Sequence, residues 1–127
     1  MEYVAIVTIL VLIQYLWFGT EVGIMRGRYD VKAPAVTGAP QFERMFRVQQ
    51  ITMEQLVVVL PALWLFARYV STTWAAGLGI AFIIARFVYR YAYVRDPAAR
   101  SLGFTAGFIV AAALIIGSLV KLVLAIL

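Results

Sequence analysis

Apolar residues in this chain do not alternate with polar ones; they run on in four long blocks, and the polar residues gather at the block ends and in the joints. The blocks cover about Val4 to Met25, Arg47 to Tyr69, Trp74 to Tyr93 and Leu102 to Leu127. A hydrocarbon core of about 30 Å takes roughly 20 apolar residues of helix, so each block is long enough to cross a bilayer. Only VSTT separates the second block from the third, which leaves room for nothing but an antiparallel helix hairpin. The first joint, RGRYDVKAPAVTGAPQFER, is broken by Pro34, Gly38 and Pro40, and Asp96-Pro97 breaks the third span from the fourth. The expected fold is therefore an all-α membrane protein: one four-transmembrane-helix bundle, up-down and antiparallel, forming a single domain over residues 1–127.

Composition supports the same choice. Of 127 residues, 65% are hydrophobic and 13% charged, too few polar groups to clothe a soluble domain of this size. The N-terminus starts acidic, without a basic leader or a small-residue cleavage site, and reads as a retained span. With no cysteine and no histidine, disulfides, thiolate metal sites and imidazole bases are excluded, and no metal site is expected. Basic residues crowd the first loop region (Arg26, Arg28, Lys32, Arg44) and the third (Arg95, Arg100), whereas the second carries Arg68 alone. By the positive-inside rule, loops one and three face the cytoplasm and both termini lie on the opposite side, in the inner membrane if the host is bacterial. The net charge of +5 mainly records this topology, so nucleic acid is not an expected partner and membrane lipids are.

Polar residues inside the blocks form two stripes. At about 100° per residue, Arg44, Arg47, Ile51, Glu54 and Gln55 share one arc of the second helix, and Arg86, Tyr89, Arg90 and Tyr93 share an arc of the third. The stripes lie on antiparallel neighbours whose polar ends meet the same membrane surface, and Glu54 and Arg86 come to nearly equal depth, so the two are geometrically able to pair. Arg44 and Arg95 read as snorkelling anchors, Tyr91 and Tyr93 as interfacial aromatics or site residues, and Gln14 and Glu21 as interhelical glue. Small residues at four-residue spacing, Ala75 with Gly79 and Gly103 with Gly107 and Ala111, allow close helix approach. An ionisable residue within a span costs at least about 2.5 kcal/mol, so several on one patch point to a cavity or a ligand. About five guanidiniums against one acid suit an anion with more than one negative group, while Glu54 can receive an ammonium. A small zwitterionic peptide with two carboxylates and one amine, such as glutathione, fits that inventory.

Two stretches, TGAPQFERMFRVQQITMEQLVVVLP and ARFVYRYAYVRDPAARSLGF, resemble the membrane-associated proteins in eicosanoid and glutathione metabolism, the MAPEG family; length, span number and loop pattern extend the resemblance over nearly the whole chain. The resemblance implies a homotrimer of four-helix bundles that holds glutathione in a bent form between subunits and takes a lipid-like electrophile from the membrane. Carried over by position, Arg26, Arg47, Gln49, Glu54, Arg86, Tyr89 and Tyr93 are the glutathione ligands, with Glu54 near the γ-glutamyl amine. Arg100 aligns with the arginine that holds the sulfur as thiolate and is the implied catalytic residue. That role is physically sound, because a thiol with pKa near about 8.5 is mostly protonated at neutral pH and a fixed cation favours its anion.

Three positions depart from the family pattern. Ile51 stands where many members have asparagine, Gln55 where several have tyrosine, and Gly27 where the leukotriene enzyme has a second arginine; leukotriene synthesis itself is accordingly not expected. The function implied is that of a glutathione-dependent membrane transferase that conjugates the thiolate to hydrophobic electrophiles and reduces lipid hydroperoxides. The alternatives are a non-catalytic lipid-binding scaffold, for which Ile51 speaks and against which the retained Arg100 speaks, and a small proton-coupled exporter using Glu21, which leaves the arginine-rich helices unexplained.

Overall fold

The computed structural model describes residues 2–95 and 101–127, with side chains at 2–95 and 105–127. Four helices follow one another: α1 (Glu2–Arg28), α2 (Pro40–Tyr69), α3 (Thr72–Arg95) and α4 (Ser101–Ile126). All four are long and apolar enough to cross a membrane. Large apolar side chains such as Leu16, Ile84, Phe108 and Leu119 stand exposed around the outside, the arrangement a bilayer accepts and water does not.

The up-down order shows in the contacts. Trp64 Nε1 of α2 donates to Thr8 Oγ1 near the start of α1, at 3.1 Å, while Arg26 near the end of α1 lies over Phe42 near the start of α2, so these helices are antiparallel. Gln55 faces Gly107 and, further along both helices, Phe66 faces Gly117, so α2 and α4 run parallel. The turn between α2 and α3 is two residues, Val70 and Ser71, and the Ser71 hydroxyl accepts the Trp74 N–H at 3.3 Å as the N-cap of α3.

One boundary departs from the apolar blocks: α2 starts at Pro40, well before Arg47. Proline at the first helical position loses no backbone hydrogen bond and brings a helical φ with it. The added turns are not uniformly apolar, but Phe42, Met45 and Val48 line one face and are buried, which suffices to hold them. The side chain of Glu43 reaches back to accept the Gly38 N–H at 3.3 Å.

The interior divides into two apolar clusters. One contains Val7, Val11, Leu56, Val59, Phe82 and Val110, and the other contains Phe18, Val22, Phe42, Val48 and Tyr89. Between them along the chain fall Gln14 on α1, Thr52 on α2 and Arg86 on α3, all buried. A polar layer thus crosses the bundle, and the cluster with Phe18 and Tyr89 lies on the side of the α1–α2 loop. That side is the loop end of the bundle.

Close approach of α1 and α3 depends on Gly79, where a Cβ would stand 2.4 Å from Val7 Cγ1. Val7 is β-branched and buried, so it has little freedom to yield. Gly79→Ala is expected to destabilise the folded protein by about 1–3 kcal/mol through overpacking, read as an earlier thermal melt in detergent.

Candidate functional site

Arg86 is the largest side chain wholly buried in the structure, and it lies inside a membrane-spanning helix. Its Nη1 donates to Gln55 Oε1 at 2.9 Å, and its guanidinium lies 4.4 Å from the centre of the Tyr89 ring. Nε and Nη2 have no hydrogen-bond partner among the described residues. Gly107 makes room for the pair, since a Cβ there would come 3.1 Å from Gln55 Oε1 and 3.5 Å from Arg86 Nη1. A small residue on α4 therefore serves the polar layer as well as helix packing.

The geometric pairing of Glu54 with Arg86 does not form. Glu54 is exposed on the outer side of α2, and Arg86 takes the neighbouring residue, Gln55, instead. Axial rise had set the two at matching depth, but consecutive helical residues point about 100° apart, and that azimuth turns residue 55 inward and residue 54 outward.

Other site residues gather at the loop end without converging on one point. Tyr89 is buried and stacks on the half-buried Tyr93, with ring centres 5.4 Å apart and planes 7° from parallel. Arg26 Nη1 donates to the Ala35 carbonyl at 2.7 Å, with its guanidinium 5.0 Å from the centre of the Phe42 ring. Gln49 is half-buried towards α1, close against Gly19. Arg47 is exposed and donates to Gln50 Oε1 at 3.3 Å. Seven residues after Arg47, Glu54 occupies nearly the same face. Arg86, Tyr89 and Tyr93 thus belong to the interior and its rim, whereas Arg47 and Glu54 look outward. Arg100 lies outside the described residues. Arg44, expected as an anchor, donates to the Val94 carbonyl at 3.2 Å, where a cation also favours the C-terminal end of α3.

Between α2 and α4 runs an apolar groove of about 410 Å³, with Glu54 and Gln55 at one end and Val58, Phe108, Ala112 and Ile116 among the residues along it. The Arg86 side chain opens onto this groove only through its partner Gln55. A guanidinium has donors alone, so Gln55 must turn its oxygen to Arg86, which leaves the amide NH₂ for another acceptor.

An ion pair that the stripes did not anticipate joins Glu21 Oε2 on α1 to Arg90 Nη2 on α3. Both side chains are mostly buried, and the Arg90 guanidinium also lies 4.6 Å from the centre of the Tyr91 ring. A signal for it existed: two opposite charges within spans, Glu21 five residues before Arg26 and Arg90 five before Arg95. Pairing as glue was the right kind of role for Glu21. Gln14 likewise acts as glue, donating to the Ile83 carbonyl at 2.8 Å.

A four-helix bundle with an arginine-bearing polar layer, small residues at its helix contacts and an apolar groove beside it defines a class of multi-pass integral membrane protein. The chain belongs to the MAPEG family, whose sequence profile matches residues 4–120. It is 40% identical over 118 residues to an uncharacterised protein of Synechocystis sp., covering 93% of this chain and 86% of that one. It is 38% identical over 100 residues to microsomal glutathione S-transferase 2 of Homo sapiens, covering 79% of this chain and 68% of the relative. Similarity to leukotriene C4 synthase of Cavia porcellus is 31% over 96 residues, covering 76% of this chain and 64% of that enzyme.

Proposed function

We propose that the protein is a glutathione-dependent membrane transferase that conjugates the glutathione thiolate to apolar electrophiles and reduces lipid hydroperoxides. The observation that carries this reading is the buried Arg86 guanidinium, whose Nε and Nη2 have no hydrogen-bond partner among the described residues and whose Nη1 meets a neutral amide, beside an apolar groove. A buried, uncompensated cation is costly, and an incoming anionic ligand lowers that cost. The similarity to a glutathione S-transferase and a leukotriene synthase supports the choice of ligand.

In this mechanism the carboxylates of glutathione are held by Arg26 and Arg47, with Arg86 lending positive potential and an oriented Gln55. Gln49, Tyr89 and Tyr93 supply further hydrogen bonds, Glu54 receives the ammonium, and Arg100 holds the sulfur as thiolate. The sulfur attacks the electrophilic carbon, a C–S bond forms, and the displaced electron pair leaves on the departing group or opened oxygen, which water protonates. With a hydroperoxide, the thiolate takes the terminal oxygen and releases the alcohol, and a second glutathione then yields the disulfide and water. The electrophile lies in the groove between α2 and α4, drawn from the membrane.

Arg47, Glu54, Val57, Pro61, Trp64 and Arg68 are all exposed and follow one another by one seven-residue step and then alternating three- and four-residue steps along one face of α2. Charged groups on such a face are poorly served by lipid tails, and a homotrimer in which neighbouring copies cover this face brings Arg47 and Glu54 into an intersubunit site. Loops one and three then face cytoplasmic glutathione.

Isothermal titration of the detergent-purified protein with glutathione tests the proposal. Saturable heat together with ultraviolet thiolate absorbance is expected; the absence of both overturns it.

A further inference from the structure

The contacts between the parallel helices α1 and α3 keep one register. Gln14 Nε2 donates to the Ile83 carbonyl and Arg90 pairs with Glu21, each contact joining residues 69 positions apart. Phe18 meets Phe87 edge-on at 5.7 Å, and these two are again 69 apart. Three contacts of constant offset, spanning two helical turns, lock the axial position of α3 against α1. Those of Gln14 and Phe18 lie deeper in the bundle. At the loop end, where α1 carries Arg26 and α3 carries Tyr93, the register rests on Glu21 and Arg90.

Position makes this pair more than a structural tie. Arg90 sits between Tyr89 and Tyr93 in the chain, and these rings stack on each other at 5.4 Å. Glu21 stands about 7.5 Å below Arg26 along α1, at about 1.5 Å per residue. Sliding or splaying of α3 therefore changes the distance between the two tyrosines and Arg26 directly. The guanidinium is held from two sides, by the carboxylate and by the Tyr91 ring, so its own position is well defined.

We propose that Glu21 and Arg90 are positioning residues for the thiol substrate, setting the height of Tyr89 and Tyr93 relative to Arg26 by fixing the α1–α3 register at the loop end. The inference rests on the glutathione-transferase reading and adds to it a part for two residues that do not touch the substrate. Its consequence is selective. Loss of the pair raises the requirement for thiol and leaves the electrophile's groove, built from α2 and α4, as it was.

The chain has no native cysteine, so Ile24→Cys and Val88→Cys, both at exposed positions, allow paired spin labels to report the α1–α3 distance. In Glu21→Gln the distance distribution is expected to widen, and KM for glutathione to rise about fivefold to fiftyfold, while KM for the electrophile changes by less than about twofold. The exchanged pair, Glu21→Arg with Arg90→Glu, is expected to narrow the distribution again and recover most of the thiol affinity. If Glu21→Gln does not elute from size exclusion like the wild type, Arg90→Gln is read in its place. An unchanged distance distribution overturns the inference, and so does a widened one with wild-type KM for glutathione, which would leave the pair a structural tie. Failure of the wild type itself to take up glutathione overturns the transferase reading, and the positioning role with it.

Discussion

Arg86→Met is expected to bind glutathione about 10- to 100-fold more weakly, through loss of its positive potential and of the Gln55 amide it orients, while melting no earlier than the wild type. The two effects have opposite signs for one reason. Arg86 is wholly buried, and among the described residues its one hydrogen bond runs to the neutral Gln55 while Nε and Nη2 have no partner. Methionine fills a similar length without a charge to desolvate, and replacing buried ionic groups by apolar ones of like volume is often neutral or stabilising. Against that gain stands the donor lost to Gln55 Oε1. A site that existed only for stability would show the reverse: a lower melting temperature and unchanged titration heat. Differential scanning of the two proteins, followed by titration with glutathione, distinguishes the cases.

Arg100→Ala is expected to lower kcat/KM at pH 7 by about 100-fold or more, the range found when one electrostatic stabiliser of a reacting anion is removed. The pH profile carries the sign. A fixed cation lowers the pKa of the bound thiol, so the wild-type rate stands near its plateau at neutral pH. Without the cation the thiol returns towards its ordinary value of about 8.5, and the rate climbs about tenfold per pH unit until that value is reached. Thiolate absorbance at pH 7 disappears in step. A variant that conjugates at the wild-type rate with the wild-type profile would remove Arg100 from the mechanism and leave the binding residues untouched.

Much of the architecture was legible in the residues. The four helices lie where the apolar blocks lie, because a bilayer sets a length of helix and demands that every backbone group be bonded within it. The start of α2 was misplaced because Phe42, Met45 and Val48 lie among polar neighbours, and a count of apolar residues underrates an amphipathic turn. Gly79 and Gly107 were marked as small residues permitting close approach, and both do so, although Gly107 also accommodates a polar pair.

The candidate site was read less fully. Arg86 was singled out as an unusual charge within a span, and of the two neighbours at that depth it is Gln55 that it meets, not Glu54, which was geometrically able to pair with it. Gln55 had drawn notice as a member of the second-helix arc and as a departure from the family pattern, not as a partner for Arg86. The pairing of Glu21 with Arg90 escaped notice because the helix stripes were compared between α2 and α3, whereas the contact joins α1 to α3. Parallel helices two apart in the chain share no turn whose length discloses that they touch.

By itself the sequence determined the number of spans, the crowding of cations at one end and the membership of the family, since each follows from residue type and order along the chain. Only the tertiary structure decided which polar groups meet. Depth in a helix follows from counting residues, but the direction of a side chain depends on how each helix is rotated and shifted against its neighbours, and that is settled by packing the whole bundle at once.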